Sequence, residues 1–149
     1  MDIRIRPMKV EDREAVLGMM EVFYHSPAVY TNGSMEIFER DFENCVGSCP
    51  FLDGLIVESE GEILGDSMLA KSFSTEFGKT CIWIEDLYLR EAARGLGLGR
   101  RVLDVITARY PNAIFRLEVE EDNQRALKLY EKFGFTVLPY MEMKFDPQA

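Results

Sequence analysis

The chain has 149 residues, of which 47% are hydrophobic and 29% charged, and its formal net charge at pH 7 is −9. This length and composition favour one domain, residues 1–149, with a sizeable core, and they exclude a disordered tail or a disulfide miniprotein. Because no membrane span or apolar signal core is present and the acidity would repel phosphates, we expect a cytoplasmic protein that binds neither nucleic acid nor membranes.

The N-terminal third predicts a strand followed by two helices. Residues 1–6 alternate apolar and charged side chains as a half-buried strand does, and residues 10–23 carry apolar side chains at helical spacing. Ser34 is a plausible N-cap for the second helix, whose apolar stripe runs from Phe38 to Cys49.

The middle of the chain predicts three strands. Residues 55–58 and 63–73 flank a turn and indicate a hairpin, and residues 81–89 form a long apolar strand. Regular alternation along this last strand would point Glu85 and Asp86 to opposite faces of the sheet.

The C-terminal part predicts a helix at 102–110, a strand at 114–119, a helix at 123–133 and two short strands at 136–138 and 140–145. A helix between two strands implies a right-handed crossover with parallel pairing, whereas the hairpin implies antiparallel neighbours. We therefore expect a mixed α/β sheet with helices on its faces.

The cysteines and the single histidine limit the available chemistry. Cys45, Cys49 and Cys81 fall within apolar patterns, which favours buried reduced thiols. A zinc site would need more ligands, and a Ser-His-Asp or Cys-His mechanism would have to converge on His25. We expect no metal site and no histidine-based mechanism.

The segment 94–99, Arg-Gly-Leu-Gly-Leu-Gly, lies between a predicted strand and a predicted helix. Backbone N–H groups can converge on an anion at such a turn, and glycines allow it to approach closely. Arg90, Arg94, Arg100 and Arg101 reverse the sign of the charge locally, which indicates an anion the size of a pyrophosphate. A Walker A loop would continue with Lys-Ser/Thr, and a Rossmann fingerprint would lie near the first strand, so both fit poorly.

This segment matches the Arg/Gln-x-x-Gly-x-Gly/Ala signature of the GNAT N-acetyltransferase superfamily. Residues 84–89 resemble the family's central strand, and residues 123–135 resemble its Asn-x-x-Ala…Tyr…Gly-Phe segment. The resemblance spans nearly the whole chain and is weakest at 24–48, where the family usually selects substrates. It implies the acyl-CoA N-acyltransferase fold: a mixed, mostly antiparallel sheet with a splayed parallel pair of strands and helices on both faces.

The resemblance also implies an enzyme that binds acetyl-CoA as a co-substrate and acetylates an amine. The pyrophosphate would lie on the amides of the glycine-rich loop, and the pantetheine arm would pair with the strand before it. The residues implied for acetyl-CoA binding are Leu87, Tyr88, Leu89, Arg94, Gly95, Leu96, Gly97, Leu98, Gly99, Arg100, Asn123 and Tyr130.

Two side chains are candidates for moving protons. Tyr130 matches the family's general acid for the departing CoA thiolate. An amine is mostly protonated at neutral pH and must lose a proton before it attacks, and Glu85 is our candidate base. Asp86, Glu118 and Glu120 are competing carboxylates.

The sequence does not fix the identity of the acceptor. We expect a primary amine of a small molecule, and the acidity of the chain favours a cationic or polyamine-like one. The alternatives are a protein N-terminus or lysine, or a non-catalytic acyl-CoA-binding sensor that would not need Tyr130. Members of the superfamily often pair through their C-terminal strands, so a homodimer through residues 140–145 is also expected.

Overall fold

The computed structural model describes residues 2–149, which form one five-stranded sheet and two pairs of α-helices. The strands are β1 (Ile3–Pro7), β2 (Leu52–Ser59), β3 (Glu62–Ser74), β4 (Lys79–Leu89) and β5 (Ile114–Leu117). The helices are α1 (Arg13–Tyr24), α2 (Met35–Val46), α3 (Leu98–Arg109) and α4 (Gln124–Phe133).

The strands lie in the order β1-β2-β3-β4-β5, and the first four are antiparallel to their neighbours. β5 runs parallel to β4, and α3 connects the two strands. The predicted mixed sheet with its parallel pair is therefore confirmed. Among residues 2–149, no helix combines the length and the hydrophobicity that a membrane crossing requires.

A hydrophobic core covers each face of the sheet. On one face, Val102, Leu103 and Ile106 of α3 pack on the sheet, and α4 adds partly buried side chains. On the other face, α1 and α2 supply Met20, Phe38 and other buried residues. The apolar stripes of these helices predict this burial, because each stripe must be covered. The cap of α2 is confirmed as well, since Ser34 Oγ accepts a hydrogen bond from Ile37 N at 3.2 Å.

A β-bulge in β4 overturns the predicted alternation of its side chains. Met68 pairs with Asp86 but Leu69 pairs with Ile84, so Glu85 is an extra residue without a partner on β3. Glu85 and Asp86 therefore lie on the same side of the sheet. Burial there raises the pKa of both carboxyls, and the charge of Asp41 on α2 adds a smaller effect. The expectation that they face opposite ways was wrong, because an inserted residue shifts the two-residue period.

The two short strands predicted at 136–138 and 140–145 are not formed. From residue 136 onward the chain has no strand partner and is exposed, with Met141, Met143 and Phe145 between 88% and 91% accessible. Alternating side chains define two faces, but a strand also needs a neighbour for its backbone groups. β5 is likewise shorter than predicted, and Met1 of the first predicted strand lies outside the described residues.

Candidate functional site

A cleft of about 720 Å³ opens where β4 and β5 separate. The last parallel pair joins Ile84 to Leu117, whereas β4 continues to Leu89. The backbone from Leu87 to Leu89 therefore lines the cleft without a strand beside it on that side. The end of α1, the loop before α3, and α4 complete the walls.

One end of the cleft is built from the glycine-rich loop. Gly95 and Gly97 have φ of 78° and 75°, in the left-handed region that glycine adopts without steric cost, and Gly97 is the N-cap of α3. The amides of Leu98, Gly99 and Arg100 belong to the first turn of α3, so they have no acceptor within the helix. Such amides, at the positive end of the helix dipole, form a site for an anion.

Gly99 serves a different purpose from the other two glycines. A Cβ built at this position would lie 2.8 Å from the side chain of Leu129 on α4. The absence of a side chain leaves room for Leu129, so α3 and α4 can pack against each other here. The loop lies between β4 and α3, as the sequence predicts, and the structure adds a reason for its third glycine.

Two arginines bring positive charge to the same end. Arg94 Nε donates a hydrogen bond to the carbonyl of Leu89 at 2.9 Å, and its guanidinium lies 5.6 Å from the centre of the Tyr88 ring. Arg100 lies 5.0 Å from the ring of Phe133. Both arginines line the cleft.

Tyr130 on α4 lines the cleft and is largely buried. Its ring packs edge-to-face against Phe135 at 5.7 Å. Both ends of α4 are fixed: Asn123 Oδ1 accepts from Ala126 N at 3.3 Å, and the N–H of Gly134 donates to the carbonyl of Tyr130. Burial, with a smaller effect of Asp86, raises the pKa of the Tyr130 phenol to about 12.

Asp86 lies deep in the cleft and is 5% exposed. Its Oδ1 accepts a hydrogen bond from the backbone N–H of Met68 at 2.7 Å. Burial raises the pKa of this carboxyl to about 7, although the Met68 hydrogen bond acts in the opposite direction. A group with such a pKa exchanges a proton within the physiological range.

Two further carboxyls line the same cleft closer to solvent. Burial raises the pKa of Glu85, with smaller contributions from the charges of Asp41 and Glu142. A hydrogen bond with Glu142 and partial burial raise the pKa of Glu118 to about 7. Within residues 2–149, no lysine or arginine forms an ion pair with Glu85, Asp86 or Glu118. This end of the cleft is therefore acidic and suited to a cation.

The cleft contains the predicted site residues with one exception, since the half-exposed Leu96 does not line it. Glu120, a competing base candidate, does not line the cleft either. His25 also lies outside the lining, and its Nδ1 donates a hydrogen bond to the carbonyl of Glu21 at 2.7 Å.

One wall of the cleft comes from the end of α1 and the following loop. Its residues Ser26, Pro27 and Ala28 lie in the region 24–48 that the resemblance associates with substrate selection, whereas the sequence reasoning missed Val22 and Phe23 at the end of α1. Part of that wall could have been found, because Phe23 ends the apolar stripe of α1.

The cysteines stay unpaired, and Cys81 is buried while the other two are partly buried. In the described part of the chain, residues 2–149, no three His, Cys, Asp or Glu side chains are grouped so that they could hold a metal ion.

The model of the acetyltransferase (GNAT) family matches residues 16–135. The chain belongs to this family. It is 29% identical over 105 residues to the 5-NmdU N-acetyltransferase of Pseudomonas phage PaMx11, a match that covers 67% of this chain and 72% of that protein. The predicted GNAT family is therefore confirmed, and the protein is an N-acetyltransferase.

Solved structures share the fold of this GNAT enzyme. A possible acetyltransferase from Clostridium difficile 630 superposes with a TM-score of 0.82 at 15% identity and covers 97% of each chain. AAC(6')-Iy, solved with the bisubstrate analogue CoA-S-monomethyl-acetylneamine, superposes with a TM-score of 0.79 at 12% identity, covering 98% of this chain and 99% of that one. At these identities the likeness establishes the fold alone, and the predicted fold class is confirmed.

Proposed function

We propose that this GNAT enzyme transfers the acetyl group of acetyl-CoA to a primary amine of a small cationic molecule. One observation carries the proposal: a cleft joins the first-turn amides of α3 to Tyr130 and to a group of carboxyls that form no ion pair within residues 2–149. The amides suit the pyrophosphate of the donor, and the carboxyls suit the ammonium group of the acceptor.

The residues of the donor end fit acetyl-CoA, which supplies the acetyl group as an activated thioester. The first-turn amides of α3 would hold the pyrophosphate, and Arg94 and Arg100 would add positive charge. Because the carbonyl of Leu89 already accepts from Arg94, strand-like pairing with the pantetheine arm would use mainly Leu87. Asn123 uses its Oδ1 to cap α4, which leaves its Nδ2 free to donate to the arm.

Proton movement in the proposed reaction uses Glu85 and Tyr130. Glu85 takes a proton from the acceptor ammonium, and its contact with solvent lets it release that proton. The amine nitrogen then bonds to the acetyl carbon, the C–S bond breaks, and the Tyr130 phenol gives its proton to the CoA sulfur. The nitrogen loses its second proton as the amide forms, and that proton returns to the Tyr130 phenolate. The buried phenol stays protonated at neutral pH, as this role requires. A backbone amide of residues 87–89 would donate to the oxygen that gains negative charge.

The acceptor class follows from charge and shape. Glu85, Asp86 and Glu118 lie within one cleft, so a molecule with positive charge is favoured there. The loop after α1 forms one wall of the cleft beside these carboxyls. The phage relative's name adds 5-NmdU to the acceptors worth testing.

The test is release of CoA thiol from acetyl-CoA with five pools of acceptors: polyamines, aminoglycosides, amino acids, peptides with free N-termini or lysine, and 5-NmdU. We expect turnover with a small-molecule pool. The Tyr130→Phe variant should bind acetyl-CoA normally and turn over at least tenfold more slowly. Turnover with peptides alone would favour a protein acceptor, and saturable acetyl-CoA binding without turnover would favour a sensor.

Two variants separate the candidate bases. Glu85→Gln and Asp86→Asn each remove one titrating carboxyl with little change in shape. If Glu85 is the base, Glu85→Gln should lower kcat and abolish the acidic limb of its pH profile. In Asp86→Asn, the main change should be a higher acceptor KM. The opposite pattern would assign the base to Asp86.

A homodimer and a cytoplasmic location belong to the same proposal. The exposed Met141, Met143 and Phe145 support an interface through the C-terminal segment, because apolar side chains this accessible gain most from being covered. Sedimentation of the wild type and of Met141→Asp/Met143→Asp tests the dimer. The free thiols of Cys45 and Cys49 are consistent with a reducing compartment.

A further inference from the structure

The ring of Tyr88 lines the cleft but has no part in the proposed proton transfers. Tyr88 lies near the end of β4, and its side chain is partly buried against the core formed with α1 and α2. The phenols of Tyr110 and Tyr140 donate to carboxylates, whereas the phenol of Tyr88 has no hydrogen-bond partner among residues 2–149. What Tyr88 contributes to the cleft is therefore the surface of its ring.

Two side chains from different walls of the cleft contact this ring. The guanidinium of Arg94, in the glycine-rich loop, lies over the ring of Tyr88 at 5.6 Å from its centre. Phe23, at the end of α1, packs edge-to-face against the same ring, with the centroids 6.3 Å apart and the planes at 75°. All three residues line the cleft. Because α1 is held by its buried core residues, Phe23 limits the movement of the Tyr88 ring.

Arg94 is exposed at the surface of the loop, yet its guanidinium is fixed at two points. Its Nε donates a hydrogen bond to the carbonyl of Leu89 at 2.9 Å, and the face of Tyr88 attracts its positive charge. Among residues 2–149, the N–H groups of its two terminal nitrogens donate to no acceptor. These N–H groups are held in place and remain available to a ligand.

The charge of Arg94 is available as well. Within residues 2–149, Arg94 belongs to no ion pair, whereas Arg100 lies 3.8 Å from the carboxylate of Asp104. Both arginines line the cleft beside the first-turn amides of α3. A guanidinium binds phosphate oxygens through paired N–H groups in a fixed plane, so its orientation affects the affinity.

We propose that Tyr88 is a positioning residue whose ring holds the Arg94 guanidinium in the orientation that binds the pyrophosphate of CoA. The inference rests on the proposed function, because it takes acetyl-CoA as the donor. Without the ring, Arg94 keeps its charge but must be ordered by the ligand itself, which lowers the affinity. Loss of the ring should therefore weaken the binding of CoA and leave the chemical step unchanged.

A double-mutant cycle on the binding of CoA, measured by calorimetry, tests this role without an acceptor. Tyr88→Leu removes the ring, and Tyr88→Phe keeps it and loses only the O–H without a partner. Arg94→Ala and the double variant Tyr88→Leu/Arg94→Ala complete the cycle. Trp83→Leu is the matched control: Trp83 is on the same strand and holds Arg116 at 4.6 Å, but neither residue lines the cleft. The melting temperature of each variant shows whether it folds.

Tyr88→Leu should raise the Kd of CoA about fivefold, as the loss of one cation–π contact implies. Tyr88→Phe should stay within about twofold of the wild type, and Trp83→Leu should not change the Kd. In the Arg94→Ala background, Tyr88→Leu should change the Kd by less than about twofold, because the ring has no guanidinium to hold. An equal loss of affinity in both backgrounds, an equal loss in both Tyr88 variants, or no loss in Tyr88→Leu would overturn the proposal.

Steady-state kinetics separates positioning from chemistry. In Tyr88→Leu, acetyl-CoA KM should rise about fivefold while kcat and acceptor KM stay unchanged. A fall in kcat at unchanged acetyl-CoA KM would contradict a role in donor binding.

The binding cycle also distinguishes this inference from the proposed function. If CoA binds with the expected coupling between Tyr88 and Arg94 but no amine is acetylated, the proposed function fails while the role of Tyr88 stands. If amines are acetylated but the cycle shows no coupling, only the role of Tyr88 fails. A wild-type enzyme that does not bind CoA would refute both.

Discussion

Replacing Asp86 with asparagine should stabilise the fold while weakening acetylation. An aspartate carboxyl in an unfolded chain has a pKa of about 3.9. In the folded protein, burial disfavours the charge of Asp86 and raises the pKa of its carboxyl to about 7. The native state therefore binds the proton more tightly than the unfolded chain. The contribution of this group to stability is full below pH 4 and is lost as the pH rises toward 7.

The size of this effect follows from the pKa difference. About three units at 1.36 kcal/mol each give a cost of at most about 4 kcal/mol at pH 8, and about 1.5 kcal/mol at pH 5. Asp86→Asn removes this cost and still offers an oxygen to the N–H of Met68. The free energy of unfolding of the variant should therefore exceed that of the wild type, by more at pH 8 than at pH 5.

Urea denaturation at pH 5, 6.5 and 8 measures the free energy of unfolding of Asp86→Asn relative to the wild type. Asp53→Asn is the control, because it should lower the free energy of unfolding rather than raise it. Asp53 accepts hydrogen bonds from Lys71 and Tyr110, and these outweigh burial to lower the pKa of its carboxyl. Asp53→Asn should destabilise the fold once the pH exceeds about 4. The reasoning fails if the difference in the free energy of unfolding between Asp86→Asn and the wild type does not increase from pH 5 to pH 8.

Three further substitutions test local features of the backbone. Ser34→Ala removes the cap that Ile37 N uses and should lower the free energy of unfolding by about 1 kcal/mol in urea denaturation. Gly18 lies within α1, where an added Cβ would meet nothing within 4 Å. Gly18→Ala should therefore raise the free energy of unfolding by about 0.5–1 kcal/mol. Gly97→Ala forces a side chain into a conformation with φ of 75°, costing about 1–2 kcal/mol, and should raise acetyl-CoA KM more than acceptor KM in steady-state kinetics.

The helices were predictable because each has a continuous apolar stripe and a local signal at an end. Ser34 caps α2 and Asn123 caps α4, and Gly134 closes α4 with a φ of 123°. These signals act over three or four residues and depend little on distant contacts. The short strands after residue 135 carried only an alternating pattern. That pattern says nothing about whether a neighbouring strand is present.

The donor end of the site was predictable for a related reason. Residues 94–99 combine loop, helix start and charge in one continuous segment, so their role is visible without knowledge of the fold. The acceptor wall joins the end of α1 to β4, which lie some 60 residues apart in sequence, and only the folded chain brings them together.

The bulge at Glu85 connects the fold to the chemistry of the site. In a regular strand, Glu85 and Asp86 would point to opposite faces, and a second carboxyl on the cleft side would have to lie two residues away. The extra residue turns both toward one cleft, with Asp86 buried against β3 and Glu85 in contact with solvent. In the proposed reaction the two adjacent acids then have different roles: Asp86 binds the ammonium group of the acceptor, and Glu85 accepts its proton. Deleting Glu85 would restore regular pairing between β3 and β4 and leave Asp86 as the only one of the two acids in the cleft.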